Sequence, residues 1–539
     1  MKFASSAAHL TGKRLTSSET LTWLTEHFHT SLARCKPELD QMLCSGVNHV
    51  YFHGAPYSPK GAEFPGWMFY ASINMSPTNS FWEDAGGLMK YLERVQAFLS
   101  AGKPDNDFLL YFPIEDVWYS QTGNPYLMFD IHKMDRRMPE VKRAVNEILS
   151  AGYDCDYISD RFVETLSVEP DGRLRSEGGT LYRGLVVPGA RLMQPSVVEK
   201  LAALAEKGAT VVFAGGFPTD VPGNADLANR RERMAAALGH LKGLGNIIIA
   251  DNITEGLART GVKPEVMRRD LGLRIVRRIN EVGGHNYFVA NLADKAVDGF
   301  VPLAPEAGAV MIFDPLTGRS GVAESRPDSE GGSLVRLQLA PGESLMLKTF
   351  PGQLSETAWR YVERTGNPVR LTSGWSISFP RSEPPIDGPF ATDTLTEWCS
   401  LPIPQATVNA ATGRYTVTFE IDDPAIADEW VLDLGDVRES ARVKVNGAEA
   451  PAAWSVPFRV WIGPLLKPGE NTLEIDVTNL QANRIADYER RGIEWRKFKD
   501  ANIASVTNAR QFSFGDWPVV PSGLNSEVTL TPVYLSKQQ

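Results

Sequence analysis

Hydrophobic residues along this chain change their spacing several times, and each change marks a different kind of element. In VNHVYFHG, residues 47–54, Asn48, Val50 and Phe52 fall on one face of an extended segment, while Val47, His49, Tyr51 and His53 fall on the other. The run is short, rich in β-branched and aromatic residues and closed by Gly54, which predicts a buried strand. Ahead of it, Trp23, Leu24, Phe28, Leu32, Leu39, Met42 and Leu43 recur at close to helical spacing and stop at Gly46, predicting a helix that breaks near Pro37. Earlier still, GKRLTSSETL, residues 12–21, reads as the end of a strand and carries Glu19. A loop rich in aromatics, Pro and Gly runs from Ala55 to about Asp84, and GGLMKYLERVQAFLSAG resumes a helix. Strand, helix, strand, long loop and helix match the last units of a (β/α)8 barrel, in which loops at the C-terminal strand ends build the active site.

KPDND, around residue 105, reads as a polar linker, and the pattern restarts after it with FLLYFPIED, a run typical of a central parallel strand. Apolar runs then alternate with helical ones: VKRAVNEILSAG, YDCDYIS, LYRGLVVPG, SVVEKLAALAEKG, ATVVFAGG, MAAALGHL and GNIIIADN, which predicts a doubly wound α/β sheet. From about Leu273 to Phe350 the helices vanish, and IVRRINEVGG, NYFVANLA, AVMIFDP and ESLMLKTF predict a small antiparallel β domain. From about Trp375 onward, RYTVTFEI, EWVLDLG, ARVKVNGAEA and NTLEIDVTN predict a β-sandwich, with Asn446-Gly447 as a hairpin turn and Leu473, Ile475 and Val477 on one face. The expected fold is therefore multidomain α/β plus all-β, divided at residues 1–104, 105–270, 271–370 and 371–539.

Composition narrows what such a chain can do. A formal net charge of −10 disfavours nucleic-acid partners, which call for basic patches, and no run of about 18 apolar residues offers a membrane span. Cys35, Cys44, Cys155 and Cys399 have neither zinc-ligand spacing nor the density of a disulfide scaffold and read as small buried hydrophobes. The polar TGKRLTSSE follows too soon after Met1 for a signal peptide, so localisation stays open, with a periplasmic or extracellular place conceivable for a full-length protein.

Candidate chemistry gathers in the first hundred residues. Glu19 at a barrel-strand end would face substrate, or it would cap the helix that follows beside Ser17 or Ser18. His49 and His53 share a face and suit sugar hydroxyls, a metal or a carboxylate, or else sit in a core or interface. The loop carries Trp67, Phe69, Tyr70, Phe81 and Trp82 beside Asn74, Asn79, Glu83 and Asp84, and flat rings beside polar groups suit sugars as well as a packed lid. Trp67, Asn79 and Trp82 are the substrate-binding candidates among them. The α/β unit shows no chemistry of its own: the turn GGFP offers Gly215, Gly216 and Phe217 where a glutamine amidotransferase carries its nucleophilic Cys, and no phosphate-binding glycine motif is present.

TGKRLTSSETLTWL, GVNHVYFHGAPYSP and GWMFYASINMSPTNSFWEDAGGLMKYLERVQAFLSAG, followed by LLYFPIEDVWYS, together resemble glycoside hydrolase family 106, the α-L-rhamnosidases. The likeness spans essentially the whole chain. It includes the run from NGAEAPAAW to RGIEWRKF, similar to the galactose-binding-like sandwiches (jelly rolls) appended to such enzymes, and an α/β layer that would be flavodoxin-like, as in the β-galactosidase trimerisation domain. The resemblance implies an inverting hydrolase of terminal α-L-rhamnosyl linkages in rhamnose-containing glycans or glycosides. Such an enzyme uses a general acid and a general base about 6.5–9.5 Å apart, and Glu19, by its place in SSETL, matches the base. The resemblance also implies a possible Ca2+ ion, whose ligands stay unknown, and no organic cofactor. A catalytic strand near residue 15 leaves the acid-bearing strand no room ahead of it, so the chain is expected to be the C-terminal portion of an enzyme, inactive alone and paired with an upstream barrel fragment. The alternative is a non-catalytic carbohydrate-binding or scaffolding fragment in which Trp454, Trp461 and Trp495 grip sugar.

Overall fold

The computed structural model describes residues 1–23, 28–69, 71–119, 138–496 and 513–537. Its first strands are β1, Ser17–Thr20, and β2, His49–Phe52, which pair in parallel as a two-stranded sheet. Between them lies helix α2, Leu32–Cys44, and after them α3, Ala85–Ser100. The helix runs unbroken through Pro37. Burial of Leu32, Cys35, Leu39 and Leu43 on its inner face offsets the hydrogen bond that proline forfeits. On the same helix Lys36 is buried, with its Nζ 2.8 Å from Asp40, 2.8 Å from the Gly342 carbonyl and 3.1 Å from the Ser344 hydroxyl. The Tyr91 hydroxyl of α3 also donates to Asp40, so α2, α3 and a strand far down the chain share one polar knot.

Helix α1, Lys2–Leu10, is an element that the apolar spacing did not announce. Its buried residues are Ser5, Ser6, Ala8, His9 and Leu10, and three of those five are polar. Ser5 donates to the Ser45 carbonyl at 2.8 Å, and the other two serve a single acid: Asp156, fully buried on β5, Cys155–Ile158, takes His9 Nδ1 at 2.8 Å, the Ser6 hydroxyl at 3.2 Å and the Tyr182 hydroxyl at 2.9 Å. Burial alone would raise the Asp156 pKa, but the charges of His9 and Lys2 and the hydrogen bonds outweigh it and hold the carboxyl well below its usual range.

β5 lies at one edge of a five-stranded parallel sheet, in the order Ile247–Ala250, Val211–Ala214, Gly184–Pro188, β4 (Phe108–Tyr111), β5. Strand VVFA and strand GLVVP are buried throughout, as expected where helices cover both faces. Next comes a six-stranded antiparallel sheet that includes Arg274–Ile279, His285–Ala290, Ala309–Phe313 and Ser344–Phe350. Its edge is the two-residue strand β3, Lys103–Pro104, which pairs with Arg278 and Ile279.

The KPDND segment is not the solvated linker expected of it. Asp105, Asn106 and Asp107 are all buried: Asn106 donates to the Cys155 carbonyl and to Asp156, and Arg277 reaches the two aspartates from the antiparallel sheet. Its Nε lies 2.5 Å from Asp105, its Nη2 2.8 Å from Asp107 and its Nη1 2.6 Å from Glu265. Charged side chains survive burial only when paired in this way.

The C-terminal unit has two large antiparallel sheets, with a two-stranded one beside them, around one apolar core that includes Trp375, Trp398, Tyr415, Leu473, Ile475 and Val477. Asn446 and Gly447 form the predicted tight turn, both with positive φ, 53° and 82°. Of the tryptophans, Trp454 is buried against α3, with its indole closing on Gly87, and Arg319 lies over Trp461 at 5.0 Å. No helix among the described residues is long and apolar enough to cross a membrane.

Two outcomes test this reading. Arg277→Met removes the cation that three buried carboxylates share and should destabilise the protein by about 3–5 kcal/mol in urea melts. Because the folded Asp156 is held below its unfolded pKa, the stability it contributes is present above about pH 4 and is lost as pH falls through the folded value. Asp156→Asn should therefore lower stability at neutral pH and flatten the acid limb when melts are compared from about pH 3 to 7.

Candidate active site

The two-stranded sheet has a packed face and an open one. Ser18, Thr20, Val50 and Phe52 turn toward the helices, and Val50 and Phe52 pack on the core that α2 and α3 share with the antiparallel sheet. Ser17, Glu19, His49 and Tyr51 form the open face, in register as Ser17 with His49 and Glu19 with Tyr51. The Ser17 hydroxyl lies 2.8 Å from His49 Nδ1, and the Thr22 hydroxyl donates to Glu19 Oε1 at 2.8 Å.

Glu19 is not a helix cap. β1 extends through Thr20, and α2 starts at Leu32 with Ser31 as its cap, whose hydroxyl accepts from the Arg34 N–H at 3.2 Å. The carboxylate stands on an exposed strand face beside a serine, a histidine and a tyrosine.

The other candidates are spread along the loop after β2, residues 53–84. His53 lies just past the strand. Its backbone N–H donates to the Thr20 carbonyl at 2.9 Å and its Nδ1 to the Ala71 carbonyl at 3.0 Å, so Nδ1 carries a proton, and the ring rests 4.6 Å from that of Phe69. Trp67 is half-buried, with its ring edge-on to Tyr57. Asn79 is buried and spends its amide protons on the carbonyls of Ile73 and Asn74, at 3.0 and 3.1 Å, which ties the loop together. Trp82 is 42% exposed and stands on a single turn, Ser80–Glu83. Tyr70 lies outside the described residues.

Backbone strain concentrates in the same place. Six non-glycine residues among those described have positive φ, and four of them, Leu21, Phe28, Ala71 and Asn74, lie in the two loops that leave β1 and β2. Each holds a left-handed conformation that L residues rarely adopt, and such positions gather at functional sites.

The pattern reading missed what packs on these loops. Phe28, from the loop after β1, is buried with Ile485, Trp495 and Phe514 of the C-terminal unit, and Phe64 and Met68 of the loop after β2 close over the same cluster. Ile485 belongs to the helix Ala482–Arg490, and the Phe64 ring meets Tyr488 of that helix at 5.8 Å. Trp495 is 5% exposed and its indole N–H donates to Glu489 at 2.9 Å, so it is a packing residue rather than a sugar platform, as is Trp454. The aromatic runs around Trp495 and Phe514 were visible in the sequence, but no local periodicity links positions more than four hundred residues apart.

Comparison with known proteins places this arrangement in a family. Residues 1–320 match the family model of glycoside hydrolase 106, alpha-L-rhamnosidase. The fold resembles the rhamnosidase of Novosphingobium sp. PP1Y with a TM-score of 0.75 and 21% identity, covering 98% of this chain and 49% of that one. A Formosa agariphila protein carried under a provisional beta-glucuronidase name is 28% identical over 214 residues, 38% of this chain and 18% of that protein. The chain thus spans about half the length of the solved rhamnosidase and under a fifth of the Formosa protein.

Trp495→Ala removes the indole between Phe28 and Phe514 and should cost about 3–5 kcal/mol in urea melts. A loss under about 1 kcal/mol would show that the loops do not lean on this cluster.

Proposed function

The chain belongs to glycoside hydrolase family 106, and from that membership we propose that it takes part in hydrolysing terminal α-L-rhamnosyl linkages with inversion, Glu19 acting as the general base. The observation that carries this reading is the place of Glu19: near the end of a parallel strand, on its open face, and, among the described residues, with no helix to cap. In this proposal residues 1–104 are the last units of a (β/α)8 barrel, and the open face of β1 and β2 is the wall that looks into it. The five-stranded sheet is then the flavodoxin-like layer, residues 271–370 the small β domain, and the C-terminal unit the galactose-binding-like sandwich.

In the proposed reaction Glu19 takes a proton from water, and the water oxygen attacks the anomeric carbon from the face opposite the leaving group. The glycosidic C–O bond breaks, and a carboxylic acid protonates the departing oxygen. Tyr51 and His49 flank Glu19 on the same face and are suited to hydrogen-bond a sugar hydroxyl or the attacking water. His53, its Nδ1 committed to Ala71, is held in one ring orientation beside Phe69. Trp67 and Trp82 are proposed to take the apolar face of the sugar, with Asn79 shaping the loop. For a metal the residues fit poorly: among the described residues no group of three or more His, Cys, Asp or Glu side chains is placed to hold a metal ion, and no step runs through calcium. The substrates proposed are rhamnose-containing glycans or glycosides.

Glu19→Gln, made in the protein that contains this chain, should lower kcat on an aryl α-L-rhamnoside by roughly 10²–10⁴-fold with KM little changed. Turnover at the wild-type rate would remove Glu19 from the mechanism.

A further inference from the structure

The loop after β2 carries two large half-exposed rings, Trp67 and Trp82, yet its firmest attachments are to residues some three to four hundred positions later. Gln481 Nε2 donates to the Thr78 carbonyl at 2.6 Å. Arg381 Nη1 donates to one oxygen of Glu83 at 2.5 Å, and Arg442 donates to the other. The Ser440 hydroxyl donates to Asp84, which is buried. Phe64 and Met68 hold the middle of the loop against Tyr488 and Ile485. The loop is thus fastened to the C-terminal unit along much of its length.

The geometry of the Glu83 contact is unlike that of an ordinary surface ion pair. Arg381 lies on the strand Trp375–Glu383 and Arg442 on Ser440–Val445, and two further strands, Ala410–Ile421 and Gly469–Thr478, lie between them in the sheet. Two arginines that start roughly 14 Å apart, at about 4.8 Å per strand, therefore converge on the two oxygens of one carboxylate. A single exposed pair can swing with its side chains. A carboxylate reached from both sides is fixed laterally over the sheet, and the adjacent buried Asp84–Ser440 bond fixes it in depth. The stability these contacts add is small because Glu83 is half-exposed, so their effect is on where the loop sits.

We propose that the C-terminal unit is the positioning domain of the loop after β2, with Arg381, Ser440 and Arg442 setting where Trp67 and Trp82 meet the sugar. The proposal rests on the glycosidase reading for its substrate but on the contacts above for its geometry. None of the three residues touches substrate; each acts through Glu83 or Asp84. A loop of about thirty residues left to itself would populate its binding-competent form only part of the time, and the apparent affinity for substrate falls by that fraction. Holding the loop in advance thus lowers KM and leaves the chemistry to Glu19.

The test uses the whole protein that contains this chain, 4-nitrophenyl α-L-rhamnopyranoside as substrate, and hydrogen–deuterium exchange. The paired variant Arg381→Met/Arg442→Met and, separately, Ser440→Ala should raise KM about 10-fold with kcat within about 3-fold. Exchange should quicken in residues 57–84 and stay unchanged in residues 184–214. Restoring charge with Arg442→Lys beside Arg381→Met should recover part of the loss. Unchanged KM with unchanged exchange, or a fall in kcat at constant KM, overturns the proposal. If the wild-type protein cleaves no rhamnoside, the rhamnosidase reading fails, and the exchange comparison alone decides the clasp: faster exchange in 57–84 supports it, equal exchange overturns it.

Discussion

The buried guanidinium of Arg277 is the interaction on which the assembly of this chain turns. It sits on a strand of the antiparallel sheet and binds Asp105 and Asp107, where the first unit passes into the parallel sheet, and Glu265, where the chain leaves that unit. Arg183, in the turn before the strand Gly184–Pro188, adds contacts to Asp107 at 3.2 Å and Asp105 at 3.6 Å, and His285 Nε2 approaches Asp105 at 3.4 Å. Burial alone would raise the pKa of Asp105, yet the arginines and His285 hold it far below the usual carboxylate range. Burying so many charges is costly in isolation, and it is tolerable only because each is met by a partner of opposite sign. Such a cluster adds little net stability but demands one arrangement, since shifting any unit relative to the others strands a charge in a dry interior. The relative placement of three units is thereby tied to one side chain.

That placement matters for the candidate site because the open face of β1 and β2 is built from very little. Two four-residue strands cannot hold a carboxylate in register by themselves. Behind them stand α2 and α3, and behind those the antiparallel sheet, with Val276, Phe288 and Met346 in the same core as Val50 and Phe52. The Lys36, Asp40, Tyr91 and Ser344 knot joins these layers by directed bonds rather than by apolar contact alone. In front, the loops after β1 and β2 rest on the C-terminal unit through Phe28, Phe64, Glu83 and Asp84. Glu19 is thus carried on a thin element supported from both sides, and four left-handed non-glycine residues in its loops record the constraint.

Much of the architecture was legible in the residues themselves. The alternation of His49, Val50, Tyr51 and Phe52 put Val50 and Phe52 on one face and His49 and Tyr51 on the other, and the structure keeps that grouping, but the strand expected to be buried leaves His49 and Tyr51 exposed. The apolar runs VVFA and GLVVP announced central parallel strands, and Leu473, Ile475 and Val477 alternate inward on their strand as their spacing required. Short-range signals of this kind are reliable because the side-chain period of a strand or helix is set by backbone geometry that sequence pattern reports directly. Apart from Pro37, where apolar burial kept whole a helix expected to break, the segments that misled or gave no signal are polar ones that a distant partner buries. KPDND looked like a linker because Arg277 is 170 positions away, and SSAAH in α1 lacked an apolar stripe because its polar face serves Asp156 and the Ser45 carbonyl.

The sequence by itself determined the succession of elements, the face that His49 and Tyr51 share, and the loops that carry the aromatic residues, whereas the register that sets Glu19 beside Tyr51 is tertiary. Tertiary structure alone decided that Glu19 caps no helix, that Trp454 and Trp495 are packing residues, and that Arg381 and Arg442 meet at Glu83. The physical reason is distance along the chain. Periodicity encodes what a residue does within its own strand or helix, whereas buried ion pairs and domain contacts form between residues whose separation carries no local signal. They exist only once several cores have closed and brought them together.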